Sequence, residues 1–240
     1  MRKILTLCFA AAITLGPLPA VPQTAGPALY SLTIRGVTAG SLRVSGQIES
    51  GRYAISGMLQ SGGLVGILRS IRYDAATQGR FAADRFTPES YSERSDNNGR
   101  QRSATMTYRA GVPQVKAYTP PRAANENDVD PATQGGSVDP LTALYATLRD
   151  VPAGEECSRS LRIFDGRRST ELALSRPVRR GDTVTCNGEY RRVDGYSPQE
   201  MAEKTTFPFT LQYEAIPGNM MRVTQVTTDT IYGAARLTRR

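Results

Sequence analysis

From Leu29 onward, apolar and polar side chains alternate with a period of two, the spacing of a strand with one wet face. Leu42, Val44, Gly46 and Ile48 put apolar or small groups on one side, while Arg43, Ser45, Gln47 and Glu49 put polar groups on the other. Tyr53, Ile55, Gly57 and Leu59 repeat the pattern after Ser50-Gly51, which predicts a hairpin. The alternation returns in Leu161 and Ile163, in Leu172 and Leu174, around Tyr190, in Phe207, Phe209, Leu211 and Tyr213, and in Ile231, Gly233, Ala235 and Leu237. Asn98-Gly99, Asp165-Gly166, Gly181-Asp182, Asp194-Gly195 and Gly218-Asn219 punctuate these runs as tight turns. A chain built this way has little choice but to fold as short antiparallel strands.

Two stretches break the alternation. In Gly62 to Ile71, the spacing of Leu64, Val65, Ile67, Leu68 and Ile71 fits a helix face, but the glycines argue against one, and the stretch is read as a bent strand. Asp139-Pro140 supplies a helix cap and a first-turn proline ahead of Leu141, Leu144, Tyr145 and Leu148 at helical spacing. A single short helix among many strands must bury that stripe, and the concave face of a curved sheet is the natural place. The expected fold is therefore mainly β: an antiparallel, strongly curved sheet or incompletely closed β-barrel with one short helix packed on its concave face. Residues 119–138 are rich in Pro, Asn, Asp, Gly and Ala, so they are expected to form a mobile surface loop that contributes little to a core. The remaining length suits one domain over 28–240, preceded by a disordered stretch at 21–27.

The amino end has the layout of a secretory signal peptide over residues 1–20. Arg2 and Lys3 start it, Ile4 to Leu15 form an apolar run, Gly16-Pro17 breaks any helix, and Ala20 marks the expected cut. That run is roughly a dozen residues, short of the ~20 that span a bilayer, and no later segment approaches that length. The expectation is export to the periplasm with no transmembrane segment after cleavage. Removing the leader takes Cys8 with it and leaves Cys157 and Cys186, which allow one pairing. In an oxidising compartment such a bridge, closing a loop of about 30 residues, adds roughly 3 to 4 kcal/mol of stability. A redox or metal-binding pair is the weaker reading, since no Cys-x-x-Cys spacing occurs and the chain has no histidine.

Charge narrows the partners further. The formal net charge is +8, carried mostly by arginines scattered in ones and twos. Nucleic-acid binding would need a basic stripe on a recognisable module, and neither is present. The plainer reading of this charge is a solvated basic surface, one that would also suit contact with anionic envelope lipid, polysaccharide or another envelope protein.

Asp139-Pro140-Leu141-Thr142-Ala143-Leu144, then Cys157 leading to Ile163-Phe164-Asp165-Gly166-Arg167-Arg168, then Cys186 leading to Tyr190-Arg191-Arg192-Val193-Asp194-Gly195-Tyr196 form an ordered set. Together with the Tyr30 to Gly40 stretch, this order resembles the DUF3108 family, exported bacterial proteins of unknown function, over most of the mature chain. More distantly it is similar to cell-envelope integrity proteins built as spiralling or incompletely closed β-barrels. The resemblance implies a periplasmic β-rich protein with a bridged cysteine pair, and it brings neither a substrate nor catalytic residues.

Asp165 beside Arg167 and Arg168 is the most tempting surface site, able to meet an anion or act as an acid. Its plainer reading is a two-residue Asp-Gly hairpin turn whose arginines face water. Catalysis lacks its usual parts: there is no histidine, no Gly-x-Ser-x-Gly elbow and no free mature cysteine. Glu155-Glu156, Asp128 and Asp130 are read as solvated, and the Asn125 to Asp130 cluster does not match a complete calcium loop. No cofactor or metal is expected. The leading expectation is a non-enzymatic periplasmic protein acting in cell-envelope maintenance, through its surface or by holding a lipid or other apolar ligand. The lipid variant requires that Leu141, Leu144, Tyr145 and Leu148 leave the concave face incompletely filled. The alternative is an envelope hydrolase that turns convergent carboxylates such as Asp165 and Glu171 on polysaccharide.

Overall fold

The computed structural model describes residues 23–230 and 233–240. The leader reading over 1–20 and the place of Ile231 in the last alternating run lie outside them. Six strands form a first meander: β1 (Gln23–Ile34), β2 (Val37–Glu49), β3 (Arg52–Ser61), β4 (Ile71–Ala82), β5 (Arg85–Asn97) and β6 (Arg100–Arg109). Three short strands follow, β7 (Val112–Pro113), β8 (Ala117–Thr119) and β9 (Val151–Pro152). A second meander comprises β10 (Ser160–Phe164), β11 (Ser169–Arg180), β12 (Thr183–Asp194), β13 (Thr206–Ile216), β14 (Met220–Thr230) and β15 (Gly233–Arg239).

All of these join in one antiparallel sheet of order β10-β11-β12-β13-β14-β15-β1-β2-β3-β4-β5-β6-β7, with β8 added to β6 and β9 to β14. The meanders meet where β1 pairs with β15, setting Tyr30 opposite Arg239 and Ile34 opposite Ala235. The sheet does not close by hydrogen bonds between β10 and β7. Chain from residues 111–138 spans the gap instead. Gly136 N donates to Gly111 O, Val138 N to Arg162 O, Phe164 N to Val138 O, and Val129 N to Arg167 O. The expected incompletely closed barrel is thus present, with its seam covered by a strip of loop.

Helix α2 (Pro140–Leu148) lies inside the curve. Asp139 caps it, its carboxylate accepting the Thr142 backbone N–H at 2.9 Å. Leu141, Ala143, Tyr145, Ala146 and Leu148 are all buried, so more than a stripe of this helix is covered. Two glycines on the inner face of the first meander make room for it. A Cβ on Gly46 would stand 2.4 Å from Tyr145 Cε2, and one on Gly57 would stand 2.6 Å from Leu141 Cδ1. The small positions in the alternating pattern of β2 and β3 are therefore seats for the helix.

Several expectations need correction. The stretch from Gly62 to Ile71 holds α1 (Gly63–Leu68) before β4 begins, and is not a bent strand. Gly63 has φ +58, and a Cβ there would stand 2.6 Å from Thr38 O, so this glycine lets a short helix sit against β2. A third helix, α3 (Pro198–Glu203), carries a capping box in which Ser197 and Glu200 satisfy each other's backbone N–H, so the fold has more than one helix. Within the stretch expected to be disordered, β1 already starts at Gln23, whose backbone pairs with Ile48 as Thr24 does with Gln47. The long β2 offers its backbone groups there, and pairing satisfies them.

The segment 119–138, expected to be a mobile loop with little part in the core, is tethered at both edges of the seam, and it buries Val129 and Val138. Its composition is polar, but its two valines reach inward. Ser50-Gly51 and Asn98-Gly99 do form two-residue turns with positive φ. Asp165-Gly166 does not: Phe164 pairs with Ser169, leaving a four-residue turn in which only Gly166 has positive φ. The cause is the Asp165 carboxylate, which accepts the backbone N–H groups of both Arg167 and Arg168 at 2.8 Å.

Candidate ligand-binding site

Helix α2 packs against β2 to β5 and leaves the inner face of the second meander partly uncovered. The result is a cavity of about 670 Å³. Leu144 and Leu148 of α2 form one wall. Leu172 of β11, Phe209 and Leu211 of β13, Val226 of β14 and Leu237 of β15 form the rest. Alternation aims these residues inward, and register stacks them: Leu211 lies opposite Val226, and Phe209 opposite Thr228. Gly188 of β12 lets Phe209 lie down, since a Cβ there would stand 2.2 Å from Phe209 Cε2.

One end of the cavity is ringed by cations and aromatics. Arg168 sits 4.6 Å from the Tyr196 ring centre, and Arg192 lies 5.0 Å from both Tyr196 and Phe207. Lys204 Nζ is 4.9 Å from the Phe207 ring. Arg192 also donates to the backbone carbonyls of Glu200 and Lys204, so it ties α3 and the chain after it to the rim. Arg168 pairs with Glu200 at 3.0 Å. Hydrogen bonds from Ser197, its backbone N–H foremost, hold the Glu200 carboxyl below the usual range. Burial pushes the Tyr196 phenol up, so it is a neutral donor at any physiological pH.

A second, more polar cavity of about 580 Å³ adjoins the first across Leu144, Leu172 and Tyr190, which line both. Lys116 enters it with a side chain only 4% exposed, pairs with Glu93 at 2.8 Å and donates to Asp165 O at 2.7 Å. Glu93 also accepts from the Tyr73 and Tyr91 hydroxyls. Burial first, and the Glu93 charge second, raise both phenols far above their usual value. This network ties β5 to the turn after β10 and so latches the seam.

The residues singled out in the sequence divide between these places. Cys157 and Cys186 are bridged, with Cα atoms 5.4 Å apart, and Cys186 is buried opposite Leu211. Leu141 and Tyr145 fill the core above Gly57 and Gly46. Leu144 and Leu148 face the larger cavity, so the four-residue stripe does not fill the concave face. Asp165 belongs to the turn and the smaller cavity. Arg167, expected to face water, pairs with Asp128 at 2.8 Å, and Arg168, expected there too, bends to the rim.

Glu171 does not join Asp165. Thr170 and Leu172 on either side of it line the smaller cavity, so alternation turns Glu171 to the other face, where it pairs with Arg191. Two of the carboxylates read as solvated need correction: Asp128 is half-buried and paired with Arg122 and Arg167, and Glu156 is buried, its side chain 3% exposed, accepting from Arg179 and from Gly154 N. Its neighbour Cys157 is bonded to the buried Cys186, which draws Glu156 inward. Arg192, Tyr196, Lys204 and Phe207 were not grouped from the sequence. The Ser197-Pro198-Gln199-Glu200 capping signature, which places the strap carrying Lys204, was available to find part of that group.

Among the described residues no helix is long and apolar enough to cross a membrane. The crystal structure of a β-barrel-like protein of the DUF1849 domain of unknown function from Brucella abortus is similar over 89% of this chain and 94% of that one, at 12% identity and a TM-score of 0.47. No curated protein matches the chain. The model of a family of proteins of unknown function, DUF3108, matches residues 29–215, well over half the length, and the chain belongs to that family.

Proposed function

We propose that this chain is a non-enzymatic protein of the bacterial periplasm that holds one apolar-chain lipid inside its open barrel, in service of cell-envelope maintenance. The observation that carries the reading is the cavity of about 670 Å³ between Leu144 and Leu148 on one side and the inner face of the second meander on the other. A cavity of that size, walled chiefly by leucine, phenylalanine and valine, matches the ordinary range of small-molecule sites. The bridged Cys157 and Cys186 and the leader-like start agree with an exported protein.

The test is to isolate the protein from the periplasm without reductant and examine it by native mass spectrometry and lipid extraction. A co-purifying lipid near one per chain is expected. Val226→Trp, which sets a bulky ring into the deep end of the cavity, should weaken lipid retention while leaving the melting temperature within a few degrees. Protein that emerges empty, and that also shows no saturable binding of a fluorescent fatty acid at micromolar concentration, would overturn the proposal.

A further inference from the structure

The cavity has a polarity along its length, and its two ends differ in chemistry. Leu211 and Val226 face each other deep inside, Phe209 and Thr228 form the next layer, and Phe207 stands at the rim. Four residues of strand separate Leu211 from Phe207, a rise of about 13 Å. At the rim end the lining changes from aliphatic to cationic, with Arg168, Arg192 and Lys204 close to Tyr196 and Phe207.

Arg168 pairs directly with Glu200, whose carboxylate also feels the Arg192 charge, while among the described residues neither Arg192 nor Lys204 forms a direct ion pair. Arg192 spends its donors on the carbonyls of Glu200 and Lys204, which fixes its guanidinium in place. The rim also carries Asp229, exposed on β14, so acid is not excluded from the ring but is outnumbered. Cations held over aromatic faces at an apolar mouth suit a ligand with a tail below and a negative head above.

We propose that the rim binds an anionic headgroup, a carboxylate or a phosphate, of a lipid whose chain lies in the cavity. Arg192 and Lys204 supply the charge, and the chain running from α3 into β13 acts as the strap that carries Lys204 over the mouth. This rests on the lipid-holding reading above.

The experiment compares three amphiphiles with the same twelve-carbon chain, dodecanoate, dodecyl phosphate and neutral dodecanol, each displacing a fluorescent fatty acid from the full mature protein. At low salt the charged pair should bind at least tenfold more tightly than dodecanol. Their ratio to each other separates a carboxylate head from a phosphate one. Lys204→Gln, a change at an exposed side chain, should cut the preference for charged over neutral ligand several-fold, and Lys204→Glu should abolish it. Added salt should erode the preference in the unaltered protein, as exposed charges are screened. Equal binding of charged and neutral ligands would overturn the headgroup proposal and leave the cavity reading standing. Binding of none would overturn both.

Discussion

Asp139 shows how much one side chain can carry. It is wholly buried, yet its carboxylate caps α2 and accepts from the Thr142 hydroxyl at 2.6 Å and the Thr77 hydroxyl at 2.8 Å. Loss of solvation outweighs these bonds and raises the acid above its ordinary 3.8. From 3.8 upward the folded chain then holds more protons than the unfolded one, so this group's contribution to stability is full in acid and declines as pH rises through the folded value. Asp139→Asn cannot ionise and should lack the decline. Urea titrations at a series of pH values should therefore show the variant gaining on the parent as pH rises above 3.8, on top of a constant offset for the altered cap. Parallel curves would show that Asp139 does not titrate in this range.

At the level of elements, the seating of α2 on glycine is the decisive packing event. Gly46→Val would drive two methyl groups into the Tyr145 ring, which a Cβ alone already meets at 2.4 Å. Overpacking of this kind costs about 1–3 kcal/mol and often more when a whole helix must shift. Thermal melting should show the loss, whereas Gly135→Ala, where a Cβ would meet Val112 Cγ2 at an ordinary 3.6 Å, should cost less. The strands were legible because a wet face and a dry face leave a period of two, and α2 was legible because Asp139-Pro140 announces it. α1 was not, because Gly63 looks like a helix breaker until Thr38 is seen against it. The helix side of the cavity was legible in Leu144 and Leu148, but its sheet side was not, since Leu172, Phe209 and Leu237 meet only through strand order. Val129 and Val138 were hidden by the polar residues around them, for composition averages over a loop while burial acts on each side chain.

Across the whole molecule, the seam and the bridge hold the shape that the cavity needs. The disulfide ties the chain before β10 to the middle of β12, 29 residues on. Replacing both cysteines by serine should lower stability by about 3–4 kcal/mol in urea unfolding, from the freedom returned to the unfolded chain. It should also weaken retention of the fluorescent fatty acid, because Cys186 lies opposite the cavity residue Leu211. An unchanged unfolding midpoint would mean that the seam is held by its hydrogen bonds and the Lys116 latch instead.

The pairing of β1 with β15 has a consequence in time. A growing polypeptide presents its amino end first, and β2 can join β1 at once. The other edge of β1 waits for Gly233–Arg239, the last strand of the sheet. Until those residues arrive, β1 exposes a row of unsatisfied backbone groups, and the wall bearing Leu237 is missing from the cavity. A chain that lacks β15 is thus both sticky at one edge and missing one wall of the cavity, so the proposed ligand is enclosed only once β15 is in place.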